Sequence, residues 1–334
     1  MMRRKNRIIR HNATLISVLC LIFTAGILTA ATLALSQKGT FSVYAHVELQ
    51  RSMLVAEGVA NRIQFLLAAD RNLNPEDKPG EVDYTAYEYD RFLADGVKHT
   101  LDYYGESVDF TVLDAVNGWD MSSSSYQSTI KKIYLDEDAG EDILDLADRV
   151  LHRMDDYIDS DEDIMEYGEE AADYESKGSK PLPRNGDMQY REELLYIEGF
   201  TGLYPLDKDG RLSNIRLMVP SGSSSLSGTP SLFSADRKML ELMCDLSEDE
   251  LDTVMDALKQ WKEEKILLSD TLDEEVLAKL KSEFSTTESG AYTVMIMPPS
   301  DRPRPFRKLV FTYDGFEVSG PENQILRYME WNFL

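Results

Sequence analysis

ATLISVLCLIFTAGILTAATLALS, residues 13–36, is an unbroken run of apolar, small and hydroxylated side chains, and its continuation decides the fold. As a helix rising ~1.5 Å per residue, the run reaches ~36 Å, enough to cross a hydrocarbon core of ~30 Å. Arg3, Arg4, Lys5, Arg7 and Arg10 precede it, and no base lies between Ala13 and Gln37. That asymmetry predicts a cytoplasmic N-terminus with everything after Gln37 outside. The alternative is a cleaved signal peptide, whose apolar core is only ~7–15 residues long. Here the helical pattern continues through Phe41–Asp70, with Val55, Val59, Ile63 and Leu66 at three- and four-residue spacing. One rod, lipid-soluble first and amphipathic later, then serves as both anchor and spine.

The chain of 334 residues is long enough for two or three domains. Beyond residue 36 it holds 30 bases against 60 acids, a net charge of -30. Such a body repels phosphate backbones, which argues against nucleic acid as a partner and favours cationic partners, divalent cations or simple solubility. Cys20 lies inside the apolar run, so it is not expected to meet Cys244 in a disulfide.

A polar connector over 71–82 carries Asn74-Pro75 and Pro79-Gly80 as turn signals. Residues 83–104 read as helix, and Ser107–Leu113 alternates as a strand. Apolar spacing predicts a helix over Asp142–Tyr157, and another helical part begins near Tyr190. Ser221–Gly228 is a Ser/Gly loop. Two capping boxes, Ser247 with Glu250 and Thr271 with Glu274, announce further helices. Then AYTVMIM (291–297), KLVFTY (308–313) and QILRYMEW (324–331) read as strands. Strands flanking a helical stretch predict an α+β fold. Its parts are a basic leader (1–12), a transmembrane helix (13–36), the spine's amphipathic continuation (37–70), the first half of a small α/β part (71–121), a helical insertion (122–286) and C-terminal strands completing the sheet (287–334).

The order of these parts resembles the large minor pseudopilin of type II secretion, the protein K family. Asn12–Leu19 (NATLISVL) looks like the start of a prepilin segment, with cleavage expected between Asn12 and Ala13. Asn12 departs from the family's glycine, whereas Ser17, in place of the glutamate of most pilins, is typical of the K subunit. The most specific likeness runs over 156–200. Asp156-Tyr157-Ile158-Asp159-Ser160-Asp161 matches D-W-x-D-x-D with tyrosine for tryptophan, and Gly168-Glu169-Glu170 and Tyr174 follow. Pro183-Arg184-Asn185 and Glu193-Leu194-Leu195-Tyr196-Ile197-Glu198-Gly199-Phe200 match P-x-N and E-L-L-x-V-x-G-hydrophobe. The resemblance implies a pilin-like fold, in which a long N-terminal transmembrane/spine helix lies on a small antiparallel sheet with a large all-helical insertion. It also implies insertion in the cell inner membrane with a periplasmic body, and trimming by a prepilin peptidase. The implied role is assembly with other minor and major pseudopilins on an inner-membrane secretion platform. Ala25, Gly26, Ala30 and Ala31 offer the small residues that packing of like spines in membrane lipid uses.

The sharpest candidate chemistry is the acidic loop 155–175, with eleven acids and no base. Asp159, Asp161, Asp163 and Glu170 fall at positions 1, 3, 5 and 12 of an EF-hand loop, whose carboxylates suit Ca²⁺. Ile164 stands where that loop needs glycine, so the expectation is a differently folded Ca²⁺ site, with a solvated mobile loop as the alternative. Asp207-Lys208-Asp209-Gly210 reads as an ordinary turn. Glu193–Phe200, superficially like a helix-hairpin-helix, reads as core and turn. His11, His46, His99 and His152 have no zinc spacing, and no G-x-S-x-G, P-loop or dinucleotide fingerprint occurs. The expected function is therefore non-enzymatic assembly for protein export, with no cofactor beyond Ca²⁺. The alternative is a membrane-tethered Ca²⁺-dependent binding module outside any secretion filament.

Overall fold

The computed structural model describes residues 2–74, 81–88, 91–135, 140–178, 183–218, 226, 228–298, 306–314 and 327–334; the side chains of 2–14, 85 and 327 lie outside that description. Helix α1 runs without interruption from Met2 to Leu73, so anchor and spine are one rod, as the periodicity predicts. Its two halves meet different surroundings. None of the apolar window that could span a membrane is buried by the protein itself, and side chains such as Leu19 and Phe23 are exposed. From residue 52 onward one face is covered: Ala56, Val59, Ala60, Ile63 and Leu67 are fully buried.

What covers them is a five-stranded antiparallel sheet in the order β1 (His99–Tyr103), β2 (Glu106–Asp114), β3 (Ala291–Met297), β4 (Leu309–Asp314), β5 (Arg327–Phe333). Alternation decides which side chains meet the spine. Val108, Phe110 and Val112 of β2 stand beside Tyr292, Val294 and Ile296 of β3 and Leu309, Phe311 and Tyr313 of β4, all in one apolar cluster with the helix. Each such fully buried aliphatic or aromatic side chain contributes about 1.5–3 kcal/mol. On β5, Tyr328 donates from its hydroxyl to Gln64 of the spine at 3.2 Å, and Trp331 and Phe333 pack against the same cluster. The last strand thus reaches the spine, and the fold is α+β, a long helix lying on a small antiparallel sheet with a helical insertion.

Between β2 and β3 the chain leaves the sheet and builds a helical insertion. Its helices are α2 (Tyr126–Tyr134), α3 (Glu141–Ile158), α4 (Ala171–Ser176), α5 (Phe200–Leu203), α6 (Arg237–Cys244), α7 (Glu248–Glu264), α8 (Leu268–Thr271) and α9 (Glu274–Glu283). They enclose a second core, in which Ile130, Val150, Met154, Leu194, Phe200 and Val254 are fully buried and Trp261 stacks on Phe233 at 3.9 Å. The capping box at the start of α7 forms: Ser247 N–H donates to Glu250 at 2.8 Å and Glu250 N–H to the Ser247 hydroxyl at 3.3 Å. Cys20 is exposed on α1 and Cys244 is buried, both unpaired with one another.

Three expectations are corrected. No helix spans 83–104: residues 84–86 make one 3₁₀ turn and 99–103 become β1. Tertiary contacts override the local pattern. Arg91 pairs with Asp70 at 2.8 Å and lies over the rings of Tyr84 and Tyr87 at 5.4 and 4.8 Å, and Gly96 turns the chain at φ +71°. The helical part near Tyr190 is a single 3₁₀ stretch, Arg191–Tyr196. The capping box of Thr271 with Glu274 does not form. Thr271 closes α8, its hydroxyl donating to Leu268 O at 3.3 Å, and Asp273 is the residue that precedes α9. The predicted strand over 324–331 starts outside the described residues and continues to Phe333.

Candidate cation-binding loop

Helix α3 forms because Ala147, Val150, Leu151 and Met154 recur on one face and enter the second core. It ends at Ile158, and Asp159 caps it, its N–H donating to Asp155 O at 2.9 Å. The chain then loops outward until Glu170 begins α4, where the Glu170 N–H donates to the Asp173 carboxylate at 3.1 Å. Asp159 and Glu170 therefore stand at the two mouths of one loop. Asp161 and Asp163 lie on its exposed arm, where Asp163 N–H donates to Asp161 at 3.0 Å.

One acid sits inside the loop. Asp156, fully buried, accepts from Met165 N–H at 3.2 Å, so a carboxylate on α3 fixes the returning arm. The fit requires Gly168, because a Cβ there would stand 1.8 Å from Asp156 Oδ2. Asp156, Asp159 and Glu170 all have their pKa values raised, first by burial and then by neighbouring carboxylates. For Asp156 these are Asp159 and Asp155; for Asp159, Asp161, Asp155 and Asp163; for Glu170, Asp156, Asp159 and Asp161. Asp161 and Asp163 thus act on Asp159, and Asp161 on Glu170, and the structure adds Asp156 to these neighbours.

The bases nearby serve the loop's outer side. Arg153 and Lys177 hold Glu169 at 3.1 and 2.7 Å, and Lys177 also reaches Glu198 at 3.0 Å. Glu169 is thereby neutralised while its neighbour Glu170 is not. Asp159 Oδ1 and Glu170 Oε1 are buried with no hydrogen-bond partner, an expensive condition for carboxylates unless a cation or proton joins them. The donor set, hard carboxylate oxygens, fits Ca²⁺. Among the described residues no three Asp, Glu, His or Cys side chains are drawn together tightly enough to hold a metal ion.

The rest of the motif region is the frame beneath this loop. Glu193 is its hub, accepting from Gln189 N–H and Tyr190 N–H at 2.9 Å each, from the Tyr157 hydroxyl at 3.1 Å and from Arg184. Arg184 and Asn185 N–H both donate to Tyr157 O at 3.1 Å, with Asn185 at φ +51°. Leu194, Ile197 and Phe200 are buried, and Gly199, at φ +93°, leaves its missing Cβ 3.0 Å from Leu146. Glu193–Phe200 is therefore core and turn. Asp207–Gly210 is the ordinary turn expected: Asp207 accepts from Asp209 and Arg211 N–H at 2.9 Å, and Asp209 pairs with Lys308 at 2.9 Å.

Asn12 and Ala13 lie within α1, far along the rod from the loop. Asp156 and Gly168 carry roles that spacing alone did not assign, although both stand in the quoted motifs. Only the fold shows that one is buried against the other.

Residues 135–204 match the family described as type II secretion system (T2SS), protein K. Among solved structures, a chain in the crystal structure of the GspK-GspI-GspJ complex from the enterotoxigenic Escherichia coli type 2 secretion system is similar at 13% identity and TM-score 0.45, over 85% of this chain and 97% of that one. No curated protein matches the chain. The matched segment holds α3, the acidic loop, α4 and the Glu193 frame, and it is over these elements that the chain is similar to protein K of type II secretion.

Proposed function

We propose that this chain is a non-enzymatic minor pseudopilin, held in the inner membrane by residues 13–36 with a cytoplasmic N-terminus and a periplasmic body. In this reading it assembles with small pseudopilins at the tip of a secretion pseudopilus. The observation that carries it is the mounting of a protein K segment on a sheet that grips the same helix whose other half is apolar and uncovered. That geometry displays the insertion at the far end of a rod suited to lateral packing against other spines. The deciding experiment is co-expression of the full chain with the small pseudopilins of its own secretion system, followed by purification in detergent. Stable co-purification supports the reading, and a chain that never associates with them sinks it. N-terminal mass analysis of the same material reports whether prepilin peptidase cuts between Asn12 and Ala13. The reading of a tethered binding module outside such a filament draws no support from the family match.

Asp159, Asp161, Asp163 and Glu170 are the proposed holders of a Ca²⁺ ion, with Asp156 fixing the loop from below. The ion supplies positive charge that relieves their mutual repulsion. At ~100 times its dissociation constant it would stabilise the chain by about 2.7 kcal/mol. Calorimetry should show heat and a raised Tm with Ca²⁺ for the wild type. Gly168→Ala, which forces the Asp156 carboxylate aside, should lose most of that shift while keeping its far-UV helicity. A variant that still responds fully removes Asp156 and Gly168 from the site.

A pH dependence follows with a definite sign. The folded pKa values of Asp156, Asp159 and Glu170 lie above their ordinary values, so the folded state binds these protons more tightly than the unfolded chain does. Their cost is complete above the folded pKa values and is relieved as pH falls toward the ordinary carboxylate range of about 4. Without Ca²⁺, Tm should rise on mild acidification from neutral pH, and saturating Ca²⁺ should flatten that rise. A Tm that only falls on mild acidification contradicts this.

A further inference from the structure

The insertion joins the sheet through a neck of two antiparallel segments, Asp114–Val116 leaving β2 and Ser289–Ala291 entering β3. Ala115 N–H donates to Ala291 O at 2.9 Å. The Asp114 side chain closes the neck. Its Oδ1 accepts from Val116 N–H and from the Ser289 hydroxyl, both at 2.8 Å, and its Oδ2 from Ser289 N–H at 2.7 Å. One carboxylate, 1% exposed, therefore holds both segments. An apolar layer of Ala115, Val116, Leu226 and Ala291 lies beside it.

The adjoining residue, Glu288, belongs to the spine. Arg71 at the last turn of α1 grips it with two parallel bonds of 2.6 Å, Nε to Oε2 and Nη2 to Oε1, and the Tyr292 hydroxyl donates to it at 2.8 Å. Arg71 also donates to Phe92 O at 2.8 Å and pairs with Asp70, which in turn holds Arg91. The path from spine to insertion is thus continuous: Arg71, Glu288, Ser289, Asp114, Val116. A paired, mostly buried ion bridge has a definite geometry, and the two short peptide segments between its members leave little room for rotation.

We propose that this neck is a coupling joint, in which Arg71–Glu288 and the Asp114–Ser289 clasp together fix the orientation of the helical insertion relative to the spine. A tilt of the rod is then carried to the insertion, whereas an opened neck leaves the insertion held on the sheet side only by pairs such as Arg191 with Glu330, Lys308 with Asp209 and Lys265 with Asp95, and widens its motion about them. The joint is also sensitive to acid. Burial, then the Glu288 charge, pushes the Asp114 carboxyl up to about 6 against three donors that favour its charged form. Glu288 and, from the segment after α5, Arg216 are the charged groups that act on it. An opened neck returns Asp114 to water and to an ordinary pKa near ~3.9. The closed neck therefore binds the proton more tightly, so closure is most favoured below about pH 4, weakens as pH rises through about 6, and carries its full electrostatic cost above that. A proton on Oδ1 is accommodated, since its hydroxyl can donate to Ser289 Oγ, which lies 3.3 Å from Ala291 O.

Hydrogen exchange on the full chain in detergent, corrected for intrinsic rates, tests both parts. Peptides covering 114–119 and 285–291 should be protected about 10-fold more at pH 5 than at pH 7.5, the ratio set by lying about one unit below the closed neck's pKa of about 6. Asp114→Asn should abolish that pH dependence. Glu288→Gln should speed neck exchange at both pH values, while peptides of α7 and β4 stay protected. It should also broaden the distance distribution between spin labels at Asn61 and Glu241, in a chain whose two cysteines are replaced. The proposal is overturned by an unchanged neck and distance distribution in Glu288→Gln, by equal loss of protection throughout, or by a wild-type pH response that persists in Asp114→Asn.

Discussion

Glu193→Ala should cost the protein about 3–5 kcal/mol, the penalty for removing one partner from a buried, hydrogen-bonded ion pair. Glu193 is 6% exposed and receives four donors: Gln189 N–H, Tyr190 N–H, the Tyr157 hydroxyl and Arg184. Alanine orphans all of them at once, and buried donors without acceptors lose their full hydration energy. The loss includes the tie between α3, through Tyr157, and the segment 184–196. The Ca²⁺ response should therefore weaken together with stability. Burial works to raise the Glu193 pKa, but Arg184 and the two backbone N–H groups outweigh it and hold the carboxyl low. Its stabilising contribution is therefore present above about pH 4.5 and disappears as pH falls through the lowered value. Chemical denaturation of the full chain in detergent at pH 7 and pH 4 checks both statements. Glu193→Ala should be much weaker than wild type at pH 7, and the gap should narrow in acid. An equal gap at both values would remove the charge from the explanation.

Gly118→Ala should be nearly as damaging, by about 3 kcal/mol or more. Gly118 sits at φ +83°, where a side chain costs roughly 1–2 kcal/mol by itself. The added Cβ would also stand 2.5 Å from Asn214 O and 3.1 Å from Arg216 N, and backbone atoms cannot turn aside as a side-chain end can. The bridge next to it, Trp119 N–H to Asn214 O and Arg216 N–H to Trp119 O at 2.9 Å each, would have to open. Trp119, now 6% exposed, would lose its seat. Thermal unfolding monitored by tryptophan fluorescence should show a lowered midpoint. A wild-type midpoint would mean that the segment around 214 moves freely, contrary to its pairing here.

Much of this architecture was legible in the residues. The rod follows from an apolar run without a break and a 3.6-residue pattern after it. Strands β2, β3 and β4 follow from alternation, and α3 and α7 from apolar spacing and a capping box. The region that failed, 83–104, failed for a physical reason: its aromatic residues look like a helical face, yet they are spent on Arg91 and on the hairpin with β2. The box of Thr271 with Glu274 likewise matches a pattern whose threonine is already committed to α8. Spacing also singled out Asp159, Asp161, Asp163 and Glu170, whose charges act on Asp159 and Glu170, although among the described residues no three acids close into a metal-holding group.

The sequence by itself determined the rod, its charge asymmetry, the strand faces and the acidic loop, because each depends on residues near one another along the chain. Only the tertiary structure decided which buried acids stand unpaired, that Asp156 must fit under Gly168, and that Glu288 carries the spine's end to the clasp at Asp114. Those depend on side chains up to 217 positions apart, and no local pattern reveals which distant partner desolvates or neutralises a charge.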